Sequence, residues 1–290
     1  IQGGYARPAL AGGKNRFVLY NRSGNELRVE SRTQNLYTKT MENSITLCAM
    51  ADNGTLAVVT EDPGSAARLR VYSSSMEQLL SWSLTIADGT PLRLAFSPDG
   101  RRLAVAAVTV SGGQMVTNFY IVTLAQGDPV LVGSGSGAAQ WLSWTGSQSI
   151  LAVCDSRAVL YNASGGERAA YDLPGQPLRD ISVDASGSTA LLLASGQLCQ
   201  AGMLGRDLGV ESTTQVQASN RIVRSGAQFY LLTDNGVECL STDGTSQWTQ
   251  SLSARPQGLL ADRRQLLVFC GNTVQVLTPP AAENNAQSNT

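Results

Sequence analysis

Residues Pro91 to Ala107 read PLRLAFSPDGRRLAVAA, and the fold is decided in this stretch. Leu92, Leu94 and Phe96 alternate with Arg93 and Ala95, the period of two that sends successive side chains to opposite faces of a strand. Ser97-Pro98-Asp99-Gly100 comes next; proline fixes φ and glycine frees it, which is the chemistry of a tight reversal. Leu103 to Ala107 is then wholly apolar, as a strand covered on both faces should be. The unit is strand, turn, strand.

Working outward, the same apolar strand begins at Phe17 (FVLY), Leu56 (LAVVT), Leu103, Ile150 (ILAVC), Ala190 (ALLLA), Phe229 (FYLLT) and Leu266 (LLVFC), at spacings of 39, 47, 47, 40, 39 and 37 residues. That is the period of a four-stranded propeller blade and too long for leucine-rich or ankyrin repeats. The turn ahead of the strand recurs as ADNG at 51–54, SPDG at 97–100 and DASG at 184–187. A polar turn and a third strand come after each copy, as at Leu27 to Glu30, Phe119 to Leu124 and Val274 to Leu277. A more polar fourth strand comes next at Gln78 to Leu84, Glu167 to Asp172 and Gln247 to Leu252, a character suited to an outer edge. The pattern predicts an all-β chain, a single seven-bladed β-propeller of four-stranded antiparallel blades over residues 1–279. Residues 280–290 read as a disordered tail. The seventh repeat lacks its own fourth strand, and Ile1 to Tyr5 is placed to supply it and close the ring. The extra length of the second and third repeats predicts protruding loops at 61–70 and 109–118. SGG at 111–113 and GSGSG at 133–137 read as turns, because neither follows a strand and opens a helix as a phosphate cradle must.

Composition narrows the chemistry. At 42% apolar and 15% charged residues the chain can bury a large core. With 21 Lys+Arg against 22 Asp+Glu, the net charge of −1 supplies no field for nucleic acid or anionic lipid, so no nucleic-acid partner is expected. Histidine is absent, which removes the commonest general base near neutral pH and excludes a Ser-His-Asp triad. The five cysteines, Cys48, Cys154, Cys199, Cys239 and Cys270, are odd in number, lack CxxC spacing and sit within apolar strands. They read as buried thiols, and no metal site or cofactor is expected. No apolar run approaches the roughly 20 residues that cross a bilayer. A chain that opens on Ile1 is expected to be a processed or trimmed product. Extracytoplasmic placement behind an upstream signal or membrane anchor is the expectation, with a cytoplasmic protein as the alternative.

SPDGRRLAVA resembles the second-strand signature of WD40-like propellers, and VECLSTDGTSQWTQSL at 237–252 is similar to the PQQ-like repeat, in which an Asp-Gly turn separates a strand from a Trp-bearing strand. The resemblance spans roughly residues 9–278 and implies the propeller fold; such propellers act as scaffolds, receptors and enzymes alike. In general character the chain also resembles membrane-anchored bacterial propellers of unknown function. It departs from quinoprotein dehydrogenases in having no adjacent cysteines, and from WD40 blades in lacking the Gly-His and Trp-Asp dipeptides. Neither the quinone chemistry nor the WD40 blade network carries over.

Four arginines form the candidate binding set. Arg7, Arg93, Arg179 and Arg255 each lie 10 or 11 residues before the apolar strand of repeats one, three, five and seven. That offset places them near the start of an innermost strand, at one mouth of a central channel, where guanidinium groups hold a carboxylate or phosphate bidentately. The alternative is that each pairs locally with an Asp or a backbone carbonyl. No catalytic constellation is visible. The reading is a non-catalytic interaction or scaffold propeller for a protein or cell-envelope component, expected to be a monomer. Its rival is a carboxylate-based glycosidase or lyase in the channel.

Overall fold

In the computed structural model, which describes residues 4–262 and 265–279, the chain is all β, with no helix among the described residues. None is therefore long and apolar enough to cross a membrane. Seven antiparallel sheets succeed one another, each a meander of consecutive strands. Sheet one holds β1 (Pro8–Gly12), β2 (Arg16–Asn21), β3 (Glu26–Ser31) and β4 (Asn35–Thr40). Sheet two holds β5 (Ile45–Met50), β6 (Leu56–Thr60), β7 (Ala67–Tyr72) and β8 (Gln78–Leu84). Sheet three holds β9 (Thr90–Phe96), β10 (Arg102–Ser111), β11 (Gln114–Thr123) and β12 (Pro129–Ser136). Sheet four holds β13 (Trp141–Trp144), β14 (Ser149–Val153), β15 (Arg157–Asn162) and β16 (Glu167–Asp172). Sheet five holds β17 (Leu178–Val183), β18 (Thr189–Ser195), β19 (Leu198–Leu204) and β20 (Val210–Val216). Sheet six holds β21 (Ser219–Ser225), β22 (Gln228–Thr233), β23 (Gly236–Ser241) and β24 (Ser246–Ser251), and sheet seven β25 (Gly258–Asp262), β26 (Gln265–Cys270) and β27 (Thr273–Leu277). These are the blades of a seven-bladed β-propeller, and the seven apolar strands of the sequence are its second strands. By compactness the chain falls into two units, Ile1–Gly175 with sheets one to four and Gln176–Thr290 with sheets five to seven.

The period of two explains the packing. On β10, Leu103, Val105 and Ala107 pack against sheet two, while Ala104 and Ala106 pack against sheet four. β6 divides in the same way, with Leu56 and Val58 toward sheet one and Ala57 and Val59 toward sheet three. In the second unit Phe229 and Leu231 of β22 meet sheet five, and Tyr230 and Leu232 meet sheet seven. Within its own unit sheet seven has a neighbour on one face only, and β26 accordingly alternates, with Leu266, Val268 and Cys270 buried and Phe269 exposed. All five cysteines are free and buried.

Four expectations are refined. Residues 109–118 are no loop: β10 and β11 pair to Ser111↔Gln114, joined by Gly112 (φ 57°) and Gly113 (φ 78°), the two positive-φ residues of a tight hairpin turn. Val108 and Val110 carry the alternation through the polar-looking segment, and Met115 stands opposite Val110 on the same face. At 61–70 only Glu61 to Ala66 forms the turn, held by the Asp62 carboxylate, which accepts from Ser65 Oγ (2.7 Å) and Arg68 Nε (3.2 Å); the remainder opens β7. Gly133 to Ser136 of GSGSG is strand rather than turn. Sheet seven shows three strands among the described residues. Of the expected closing segment, residues 1–3 lie outside the described residues, Gly4 and Tyr5 are not strand, and the Tyr5 hydroxyl donates to Glu26 Oε1 (2.9 Å). The expected tail, 280–290, also lies outside them.

The glycines of β12 mark a close approach. A Cβ on Gly133 would collide with Tyr161 Cε1 of sheet four, and one on Gly135 would stand 3.0 Å from Cys154 Sγ. The Tyr161 hydroxyl donates to the Ser134 carbonyl (2.9 Å), and the Gly166 N–H donates to the Val132 carbonyl (3.0 Å). Neighbouring groups thus cap part of this edge strand, one way of guarding such an edge. Gly133→Ala is expected to lower stability by about 1–3 kcal/mol through overpacking. Thermal unfolding should show the loss, and adding Tyr161→Leu should recover part of it.

Candidate functional site

The first strands of sheets one to four, β1, β5, β9 and β13, are each the end strand of their sheet and lie side by side in the first unit. At their C-terminal ends is an open groove of about 470 Å³, lined by Gly12, Cys48, Met50, Phe96 and Trp144 among others, with Asp52 as its carboxylate. The volume is that of a small-ligand site. Its wall is fixed. Trp144 Nε1 donates to the Ala95 carbonyl (2.9 Å), and the Arg102 guanidinium sits 4.7 Å from the centroid of the Trp144 ring while donating to the Ser147 carbonyl. The other joints on this side are also bridged: Asn53 Nδ2 of sheet two donates to the Asp99 carbonyl of sheet three (3.5 Å), and Arg16 of sheet one to the Ser74 carbonyl of sheet two (2.8 Å). Burial pushes the Cys48 thiol well up, which keeps it neutral and a poor nucleophile. Among the described residues no group of three or more His, Cys, Asp or Glu is placed to hold a metal ion.

None of the four arginines lines this groove. Arg7 is exposed, and its backbone N–H donates to Asn21 Oδ1 (3.1 Å). Arg93, exposed on β9, donates from Nε to the Gln140 carbonyl (3.1 Å), just ahead of β13, and from Nη1 to the Leu92 carbonyl (2.9 Å). Arg179 repeats this arrangement, reaching from β17 to the carbonyl of Ser219 at the start of β21 (3.2 Å). Both carry a guanidinium from one first strand onto the next. Arg255 pairs with Asp234 (2.9 Å), which also accepts from Asn220 Nδ2 (3.2 Å). The Asp234 carboxyl is held below its usual range by Arg255 first, then Asn220, with Arg179 adding its field. The second unit therefore gathers Arg179 and Arg255 around one carboxylate. In the first unit, no hydrogen bond or ion pair among the described residues joins Arg7 to Arg93.

Sequence reasoning missed two features. Trp144 and Asp52 line one groove only because β9 has β5 on one side and β13 on the other; the available signal was the WLSW of β13, two aromatics on a first strand. Arg224 is buried between sheets five and six, donating to the carbonyls of Thr189 (3.3 Å) and Leu204 (3.1 Å) and to Glu211 (2.7 Å).

Over residues 3–165 the sequence matches the model of a family of unknown function, DUF5711. The chain belongs to this family. No curated protein matches it. Among solved structures, this DUF5711 member is similar in fold to Sqt1 of Saccharomyces cerevisiae, at 14% identity and a TM-score of 0.69, covering 95% of this chain and 83% of that one. It is similar to Chaetomium thermophilum Sqt1 bound to the N-terminus of the ribosomal protein L10, at 12% identity and a TM-score of 0.64, covering 96% and 85%. BamB from Moraxella catarrhalis gives 13% identity and a TM-score of 0.57, covering 92% and 81%. At these identities the likeness is one of fold.

If the DUF5711 chain uses Arg93 and Arg179 as bridges between sheets, Arg93→Ala and Arg179→Ala should each cost about 1 kcal/mol. Arg255→Ala, which breaks an exposed ion pair, should cost close to nothing. Thermal unfolding of the three variants checks the order.

Proposed function

We propose that this DUF5711 propeller is a non-catalytic interaction module whose sheet-three hairpin contacts a partner protein. The hairpin is the observation that carries the reading. β9 pairs with β10 only as far as Val108, and β12 pairs with β11 only as far as Val116, so Thr109 to Met115 stand beyond both flanking strands. Val110 and Met115 face each other across this tip, 71% and 52% exposed, and Ile86, 82% exposed, lies on the turn whose carbonyl accepts from the Thr109 hydroxyl (2.9 Å). No charged residue occurs between Arg102 and Asp128. These aliphatic side chains are more than half exposed, and exposed apolar groups gathered on a projection are the mark of a contact surface.

Two further points support this reading. A propeller of similar fold, Chaetomium thermophilum Sqt1, is described bound to the N-terminus of a ribosomal protein, so the architecture is suited to holding a protein segment. The groove of the first unit carries one carboxylate among its lining residues, whereas two-carboxylate glycoside chemistry needs a pair roughly 5–10 Å apart.

A photo-crosslinking amino acid placed at 110 or 115 in the full chain, expressed in its own cells, should give one discrete protein adduct. The same probe at Thr249 on the outer strand β24 should give none, and Val110→Glu with Met115→Lys, opposite charges on a cross-strand pair, should prevent partner binding while leaving the unfolding temperature unchanged. Absence of any adduct from the tip, together with turnover of a glycan library by the purified chain, would overturn the reading in favour of catalysis.

A further inference from the structure

We infer that the groove at the ends of β1, β5, β9 and β13 binds an extended peptide that sets a large apolar side chain against Trp144 and Phe96 and a lysine or arginine against Asp52. The inference goes beyond the hairpin contact and uses a different surface. Three features of the groove select this occupant.

First, the four strands that end in the groove are paired on one side only. Apart from the Leu92 and Ala95 carbonyls, which Arg93 and Trp144 occupy, their outer edges carry backbone N–H and C=O groups at the residue spacing of a strand, about 3.3 Å. An extended peptide pairs with one such edge, as in strand addition to a sheet. Second, Met50, Leu94, Phe96 and Trp144 give the groove an apolar wall. Trp144 is locked by the Ala95 carbonyl and the Arg102 guanidinium, so little side-chain freedom remains to be lost on binding. Third, the groove carries a charge without a partner. Asp52 is exposed, and among the described residues no donor or cation meets its carboxylate. Other turn carboxylates of the same unit are engaged: Asp99 accepts from Ser97 Oγ (2.6 Å) and the Arg101 N–H (3.0 Å), and Asp155 accepts from Gln140 Nε2 (2.8 Å) and the Ala138 N–H (3.1 Å). A cationic side chain beside the apolar anchor complements Asp52, and the sign of this charge distinguishes the peptide from an anionic ligand.

The probe is a random-peptide phage library selected on the immobilised full chain and, in parallel, on Asp52→Arg, whose unfolding temperature is checked first. The wild-type chain should enrich peptides that place an aromatic or large aliphatic residue near Lys or Arg. The strongest of these, made synthetically, should bind Asp52→Arg about tenfold more weakly or worse, and selection on Asp52→Arg should turn to Asp and Glu. It should bind Val110→Glu with Met115→Lys as it binds wild type, so the groove and the hairpin can fail separately. No enrichment over the blank support, or the same peptides from both chains, would overturn the inference.

Discussion

A strand with two apolar faces cannot be buried by its own sheet, because a sheet covers its edges and leaves its faces open. On β10, Leu103, Val105 and Ala107 need a sheet on one side, and Ala104 and Ala106 need another on the opposite side. Sheets two, three and six therefore each take their stability from two neighbours within their unit, and the unit of packing is the seam between sheets rather than the sheet itself. The polar bridges lie on the same seams. Arg16, Asn53, Arg93 and Arg102 in the first unit, and Arg179 and Arg224 in the second, each carry a side-chain donor from one sheet to a backbone carbonyl of the next or a nearby one.

A frame joined in this way holds its edges still, and function is left to what the seams do not consume. Two such remainders occur in the first unit. The tip of the β10–β11 hairpin extends beyond the pairing of the flanking strands, and its aliphatic side chains are more than half exposed. The ends of β1, β5, β9 and β13 surround a groove with one apolar side-chain wall and a single uncompensated carboxylate. Neither surface brings a base, a nucleophile or a metal cluster together, and both present groups that recognise another chain. Where the frame does come close to an edge, as at Gly133 and Gly135, small residues admit Tyr161 and Cys154 and the strand is capped rather than offered.

Most of the architecture was legible in the sequence because it arises from local rules repeated many times. The apolar strands at Phe17, Leu56, Leu103, Ile150, Ala190, Phe229 and Leu266 all became second strands, and the Asp-Gly and Asn-Gly turns before them turned where expected. The misread segments were those in which polarity and backbone conformation diverge. TVSGGQMVTN looks like a loop by composition, yet its glycines supply a two-residue turn and Val110, two residues on from Val108, keeps the strand period. GSGSG looks like a turn, yet its glycines answer a space constraint imposed by residues of the next sheet. Arg93 and Arg179 lie on first strands, while Arg7 and Arg255 precede theirs; the partners of Arg93 and Arg179 are backbone carbonyls, which carry no signature in sequence. Asp52 and Trp144 stand far apart in the chain and share a groove only through lateral packing.

The central claim is that packing between neighbouring sheets consumes the second strands and spares the hairpin tip. Residue-resolved amide hydrogen exchange on the free full chain tests it most directly, since exchange reports the free energy of opening at each site. The slowest amides should be those of Val58, Val105 and Leu231, on second strands flanked on both faces, and the residues from Val110 to Met115 should exchange fastest of all strand positions in sheet three. Protection at the tip equal to that of Val105 in the absence of any partner would contradict the account.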